Sequence, residues 1–154
     1  MIKLPRVLRF VGGTRNKVNK WKAAGYLSRT LKEGSPGVPT IVSRDAALEI
    51  AFMSVLTESG FSPKDSNAFA NELLARQTSK SAPRYCLINP RNSLIYYAQR
   101  LEDIGPRIRE ITESVDEPTV GERNGVAAER PASSLVLINI GELTRRIKSL
   151  EDIA

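Results

Sequence analysis

Residues 12–27 read GGTRNKVNKWKAAGYL and predict a short basic helix between two glycine breaks. Thr14 stands where a helix N-cap is expected, and Gly25 stands at the position that follows a helix C-terminus. Val18, Trp21 and Ala24 recur every third residue and predict an inward apolar stripe, in which Trp21 packs in the core. Arginine, lysine and asparagine occupy most of the other positions, so the predicted helix 14–24 has one buried side and one cationic side.

The flanking sequence extends this pattern on both sides. Upstream, Leu4, Leu8 and Val11 predict a helix that starts near a proline and ends at the double glycine. Two short helices joined by a tight glycine turn are typical of a helix-turn-helix. Downstream, the apolar residues 26–27 and 38–42 flank a Gly/Pro-containing loop at 32–37 and predict a β-hairpin, which would be a wing.

Two further helices are predicted after the hairpin. Ser43 is placed to cap a helix that runs to Gly60, and Ser62 is placed to cap a second helix that ends near Arg76. Proline and aspartate follow Ser62 at the first and third helical positions, which strengthens that start signal. The predicted order is helix, turn, helix, hairpin, helix, helix, the order of a winged helix-turn-helix.

The N-terminal half resembles the MerR family of DNA-binding regulators over about residues 4–76. The similarity is carried by residues 13–27 (GTRNKVNKWKAAGYL), 41–45 (IVSRD) and 59–65 (SGFSPKD). These segments correspond to the family's turn and recognition helix, the entry to its third helix and the link to its fourth. The family's long dimerisation helix has no counterpart, since residues 78–83 are polar and stop at a proline.

The expected fold is α+β, with a winged helix-turn-helix, mostly α with a small hairpin, followed by a small α/β dimerisation domain. The predicted boundaries are 1–77 for the DNA-binding domain, 78–84 for a linker and 85–154 for the second domain. In the second domain, residues 85–88, 94–97 and 135–138 predict strands, although 94–104 also fits a helix. Helices are expected near 104–111 and over 143–153, and about 116–133 is expected to be a flexible loop.

The net charge of +6 is concentrated at one end of the chain. Residues 1–44 contain ten basic residues against one acidic residue, a net charge of +9, and the remaining 110 residues carry −3. A basic segment joined to a near-neutral remainder indicates an anionic partner that binds one end of the molecule.

The candidate DNA-binding residues follow from this charge and from the predicted helices. Early positions of a recognition helix contact base edges, where arginine reads guanine and asparagine reads adenine. The recognition-helix candidates are Thr14, Arg15, Asn16, Lys17, Asn19 and Lys20. A second group is expected to contact phosphates or to lie on the wing. This group comprises Lys3, Arg6, Arg9, Lys22, Arg29 and Lys32.

Several function classes are disfavoured by what the chain lacks. It has no histidine and a single cysteine, Cys86, so the usual metal-ligand sets and Ser-His or Cys-His pairs cannot be assembled within one chain. Phosphate-binding glycine motifs are also absent. We therefore expect a protein that is not an enzyme and needs no cofactor or metal. Without a long apolar run or a secretory signal, a cytoplasmic, nucleoid-associated location without membrane contact is expected.

The sequence predicts a sequence-specific regulator of transcription, of a bacterial or phage type, that binds double-stranded DNA. A homodimer formed by the C-terminal domain would place two recognition helices on an inverted repeat. RNA polymerase or another regulator is a further possible partner. Two alternatives remain open: an excisionase-like or architectural factor that bends DNA, and a protein-interaction adaptor that the basic end tethers to DNA.

Overall fold

The computed structural model describes residues 1–29, 31, 38–79, 81–90, 94–113 and 135–151. Its fold is mixed α+β. In chain order the elements are β1 (Ile2–Lys3), α1 (Leu4–Val11), α2 (Arg15–Ala23), β2 (Ile41–Val42), α3 (Arg44–Glu58), α4 (Pro63–Gln77), β3 (Tyr85–Ile88), β4 (Ile95–Ala98), a 3₁₀ turn (Leu101–Asp103), α5 (Ile104–Glu113), β5 (Val136–Asn139) and α6 (Ile140–Ser149).

The chain forms two compact units. Unit 1 contains Met1–Ala82 together with Ile140–Ala154, and unit 2 contains Pro83–Asn139. The break between Ala82 and Pro83 lies within the segment 78–84 that was expected to be a linker. Among the described helices, none has the length and apolar character required to cross a membrane.

Helix α3 is the centre of unit 1. It packs against α4, α1 and α6, and its side chains are buried over most of its circumference. Its fully buried apolar side chains include Ile50, Phe52, Met53 and Leu56. A helix buried on nearly all sides is expected only where neighbouring helices surround it, so α3 is the element on which the rest of unit 1 is assembled.

The predicted helix starts are confirmed by their caps. Thr14, Ser43 and Ser62 are the N-cap residues of α2, α3 and α4, and each side-chain oxygen accepts a hydrogen bond from the backbone N–H three residues later. These bonds satisfy donors that a helix leaves unpaired in its first turn. Short-range sequence signals therefore fixed where these helices begin.

The prediction of a wing hairpin named the wrong partner strand for residues 41–42. The expected strand at Tyr26-Leu27 does not form; β2 pairs instead with β1 in an antiparallel ladder that sets Ile2 opposite Val42. The backbone after α2 is held by side chains of α3 and α4, since Asn67 donates to the Tyr26 carbonyl and Glu49 accepts from the Ser28 N–H. These backbone groups are therefore not used in a strand ladder.

Unit 2 contains an antiparallel sheet with strand order β4-β3-β5. The predicted hairpin between 85–88 and 94–97 is confirmed by the pairing of β3 with β4, so the helical alternative is wrong for residues 95–98. On one face of this sheet, buried Leu87 of β3 packs with buried Ile104 of α5 in a small core. The loop expected at 116–133 lies outside the described residues.

The placement of the last helix corrects the expected domain division. The sequence predicted that residues 85–154 form one domain, with a helix at 143–153. The structure begins α6 at Ile140 and places it in unit 1, against α3. The reason is apolar burial: Ile140 and Ile147 are fully buried, and the Arg146 guanidinium lies 5.7 Å from the ring centre of Phe10 in α1.

Candidate nucleic-acid interface

A tight glycine turn sets the geometry between α1 and α2. Gly12 ends α1 with φ of 65°, a left-handed conformation that glycine adopts without a steric penalty. The Gly13 N–H then donates to the Leu8 carbonyl at 2.9 Å, which closes the end of α1. Thr14 Oγ1 accepts from the Lys17 N–H at 3.3 Å and starts α2. The turn between the two helices is therefore only three residues long.

Helix α2 is anchored along one side and exposed along the other. Val18 is 1% exposed and Trp21 is 4% exposed, which confirms that Trp21 packs in the core. Ala24, which was expected on the same inward stripe, is exposed because it follows the last residue of the helix. Beyond the helix end, Gly25 takes φ of 74°, its N–H donates to the Lys22 carbonyl, and the Tyr26 N–H donates to the Trp21 carbonyl. This is a Schellman-type ending, which fixes where the helix stops and where the chain leaves it.

The outer side of α2 is polar, and all its charges are positive. The helix has the sequence RNKVNKWKA, with four basic side chains and no acidic one. Its exposed polar residues are Arg15, Asn16, Asn19, Lys20 and Lys22, while Lys17 is partly buried. The structure thus brings the predicted recognition-helix residues together on one nine-residue helix, with Thr14 as its cap.

Two of the cations on α2 are held close to the protein surface. Arg15 Nη2 donates to Thr40 Oγ1 at 3.5 Å, beside the start of β2. Lys17 Nζ lies 5.8 Å from the centre of the Trp21 ring, within the range of a cation–π interaction. Beside α2, a cavity of about 490 Å³ is bordered by α2 residues and by the segments next to β1 and β2. Its lining is Leu4, Arg15, Asn19, Lys22, Ala23, Leu31 and Thr40.

The predicted phosphate-contacting residues have different surroundings. Lys3 on β1 and Arg9 in the last turn of α1 are exposed, and Arg6 is partly buried. Lys32 lies outside the described residues. Arg29 is not on a β-hairpin: its guanidinium is 3.4 Å from the carboxylate of Glu49 and donates to Asn71 Oδ1 at 3.3 Å. Arg29, whose side chain is 31% exposed, is therefore held by an ion pair with Glu49, and its expected contact with DNA stays a prediction.

Glu49 is the residue that the sequence analysis missed. Its side chain is buried in α3, and its carboxylate accepts from Ser28 Oγ at 2.7 Å, the Ser28 N–H at 3.0 Å and the Arg29 N–H at 3.3 Å. We name this set of contacts, together with the Arg29 ion pair, the Glu49 clamp. A carboxylate in the otherwise apolar stretch 46–53 was the available signal, because unpaired charges are rarely buried.

A second ionic cluster lies on α6. Hydrogen bonds from Arg145 and then Arg146 to the Glu142 carboxylate lower the pKa of Glu142 to about 2. Arg145 Nη2 lies 2.8 Å from that carboxylate. Near the end of the described helix, the chain's amino group is 3.6 Å from Glu151. The contacts of Glu142 lie within α6 and pair two of its cations, whereas the contact of Glu151 joins the segment after α6 to Met1.

In comparisons with protein-family models, curated proteins and solved structures, no match to this chain was found.

Proposed function

We propose that this protein is a sequence-specific regulator of transcription that binds double-stranded DNA with α2 as its recognition helix. One observation carries the proposal: α2 is buried only along Val18 and Trp21, and its opposite side presents amides and cations. The three-residue turn to α1 agrees with the helix-turn-helix arrangement, in which the second helix enters the major groove. The proposed role is binding and involves no catalysis.

The surroundings of α2 add a short pair of strands and further positive charge beside the proposed recognition helix. The paired strands β1 and β2 lie beside α2, since Leu4 and Thr40 border the same cavity as Arg15 and Lys22. Exposed Lys3 and Arg9 add positive charge to unit 1. Cations at this density favour phosphate contacts, which position a protein on the duplex and make its affinity salt-dependent.

Homodimerisation through unit 2 is the second part of the proposal. In the part of the sheet that the structure describes, the strand order places β5 at one side, next to β3, and this is the side at which a strand of a second copy would be added. Leu137 on this strand is 46% exposed, although it is paired with buried Leu87. A two-fold dimer would present two α2 helices to an inverted repeat.

The test is DNA binding by paired variants of α2. Arg15→Ala and Lys20→Ala each remove one exposed cation and should weaken binding in a gel-shift assay without lowering the melting temperature. Lys64→Ala is the matched control, because it removes an exposed cation from the start of α4. Unchanged affinity for DNA in both α2 variants would show that α2 is not part of the DNA interface. Equal weakening by Lys64→Ala would show that binding depends on net charge alone.

A further inference from the structure

The outward residues of α2 divide into a crest and two flanks. An α-helix turns about 100° per residue, so the side opposite Val18 and Trp21 is defined by residues spaced three, four and seven apart. These crest residues are Asn16, Asn19, Lys20 and Ala23, all exposed. The crest therefore consists of two amides, one cation and one methyl group.

The other three cations of α2 lie on the flanks of the crest. Arg15 and Lys22 are seven residues apart and share one flank. This flank borders the cavity next to Leu4 and Thr40, which Asn19 and Ala23 of the crest also line. Lys17 is on the opposite flank, where its ammonium group lies over the Trp21 ring. The hydrogen bond from Arg15 to Thr40 Oγ1 holds the first flank towards β2. Positive charge thus borders the crest on both sides.

This arrangement matches the cross-section of the DNA major groove. The groove is about 12 Å wide, carries base edges on its floor and is bordered by a phosphate backbone on each side. A helix lying in it directs its crest to the bases and its two flanks to the two backbones. Asparagine pairs with adenine through N6 and N7, lysine contacts guanine O6 and N7, and an alanine methyl group packs against the thymine methyl group.

We propose that Asn16 and Asn19 read two adenines in each DNA half-site, while Arg15, Lys22 and Lys17 bind the phosphates on either side. This assignment rests on the proposed DNA-binding function. Residues three apart on a helix have Cβ atoms about 5–6 Å apart, and stacked bases rise about 3.4 Å per step. The two adenines are therefore one or two base pairs apart. The guanine that Lys20 contacts lies next to them.

The experiment is selection of bound duplexes from a random DNA pool, followed by affinity measurements across salt concentrations. The proteins compared are the wild type, Asn16→Ala, Asn19→Ala, Lys17→Gln, Lys22→Gln and the control Lys64→Gln. Each asparagine variant should lose the preference for adenine at one position, with discrimination there falling about 5-fold to 150-fold. Its salt dependence should match that of the wild type.

The two flank variants should show the opposite behaviour. Lys17→Gln and Lys22→Gln should each lower the slope of log affinity against log salt by about 1 and leave the selected sequence unchanged. Lys64→Gln should change neither quantity. Far-UV circular dichroism checks that each variant retains its fold, since Lys17→Gln alters the surroundings of Trp21 itself.

The possible failures are distinguishable. If the wild type shows no salt-dependent DNA binding or selects no sequence, the proposed function fails. If the wild type selects a sequence that the asparagine variants also select, the function stands and the reading of adenine by the crest is wrong. If Lys17→Gln or Lys22→Gln changes the selected bases, the assignment of the flanks to phosphates is overturned.

Discussion

Replacing Glu49 by alanine should destabilise unit 1 more than any exposed charge substitution. The buried carboxylate accepts four hydrogen bonds from two residues, from the side chain and N–H of Ser28 and from the guanidinium and N–H of Arg29. Breaking a buried ion pair costs about 3–5 kcal/mol. Since the Arg29 side chain is 31% exposed, water can solvate its charge, and the lower end of that range, about 3 kcal/mol, is expected.

Two comparison variants separate the parts of the Glu49 clamp. Arg29→Ala leaves the buried carboxylate without this cation but with three donors on Ser28 and Arg29, so a loss of about 2 kcal/mol is expected. Glu72→Ala breaks the exposed i,i+4 pair with Arg76 on α4 and should cost less than about 0.5 kcal/mol. The order of loss is then Glu49, Arg29, Glu72.

Urea unfolding followed by Trp21 fluorescence is the suitable assay, because the only tryptophan in the chain is buried in unit 1. The free energies of unfolding are compared at an unchanged denaturant slope. A loss below about 1 kcal/mol for Glu49→Ala, or a loss for Arg29→Ala equal to that for Glu49→Ala, would refute the reasoning. The first result would mean that the clamp is not formed, and the second would mean that the ion pair carries all of its effect.

Two further predictions concern α6. Ile147→Ala truncates a fully buried side chain and should lower the free energy of unfolding of unit 1 by about 2–5 kcal/mol. The loss is measured as a shift of the unfolding midpoint reported by Trp21 fluorescence. An unchanged midpoint would contradict the packing of α6 in unit 1. The lowered pKa of Glu142 means that its ionised form stabilises the fold above pH 4.5, and that this contribution is lost as the pH falls towards 2. NMR titration of Glu142 should show a midpoint near pH 2 in the wild type. In the Arg145→Gln, Arg146→Gln double variant this midpoint should rise towards 4.5. A wild-type midpoint near 4.5 would contradict the ion cluster.

The residues of the candidate interface were predictable because they are neighbours in sequence. Helical spacing and the cap at Thr14 place the exposed cations and amides of α2 on one element whatever the rest of the chain does. The division of the outward residues into a crest and two flanks depends on the burial of Val18 and Trp21. The helical spacing predicted this burial, and the structure confirms it. Lys32, predicted on the wing, remains a prediction.

The supporting contacts were not predictable in the same way. Arg29 was assigned to the wing from its charge and its place after α2, but its partner Glu49 is twenty residues away on α3. Nothing local to residue 29 distinguishes a cation that faces solvent from one that faces a buried carboxylate. The isolated glutamate in the apolar stretch 46–53 indicated that a partner must exist, but not which residue provides it.

The sequence by itself determined, to within a residue or two, the boundaries of helices α1 to α4, and it determined the antiparallel β3–β4 hairpin and the cationic side of α2. These features depend on capping residues, glycine, turn signals and hydrophobic periodicity, all of which act over a few neighbouring residues. Only the tertiary structure decided that β2 pairs with β1, that α6 joins unit 1 and that Glu49 holds the segment after α2. Each of these depends on which distant surfaces bury one another most fully, and that choice is made by packing and hydrogen-bond satisfaction over the whole unit.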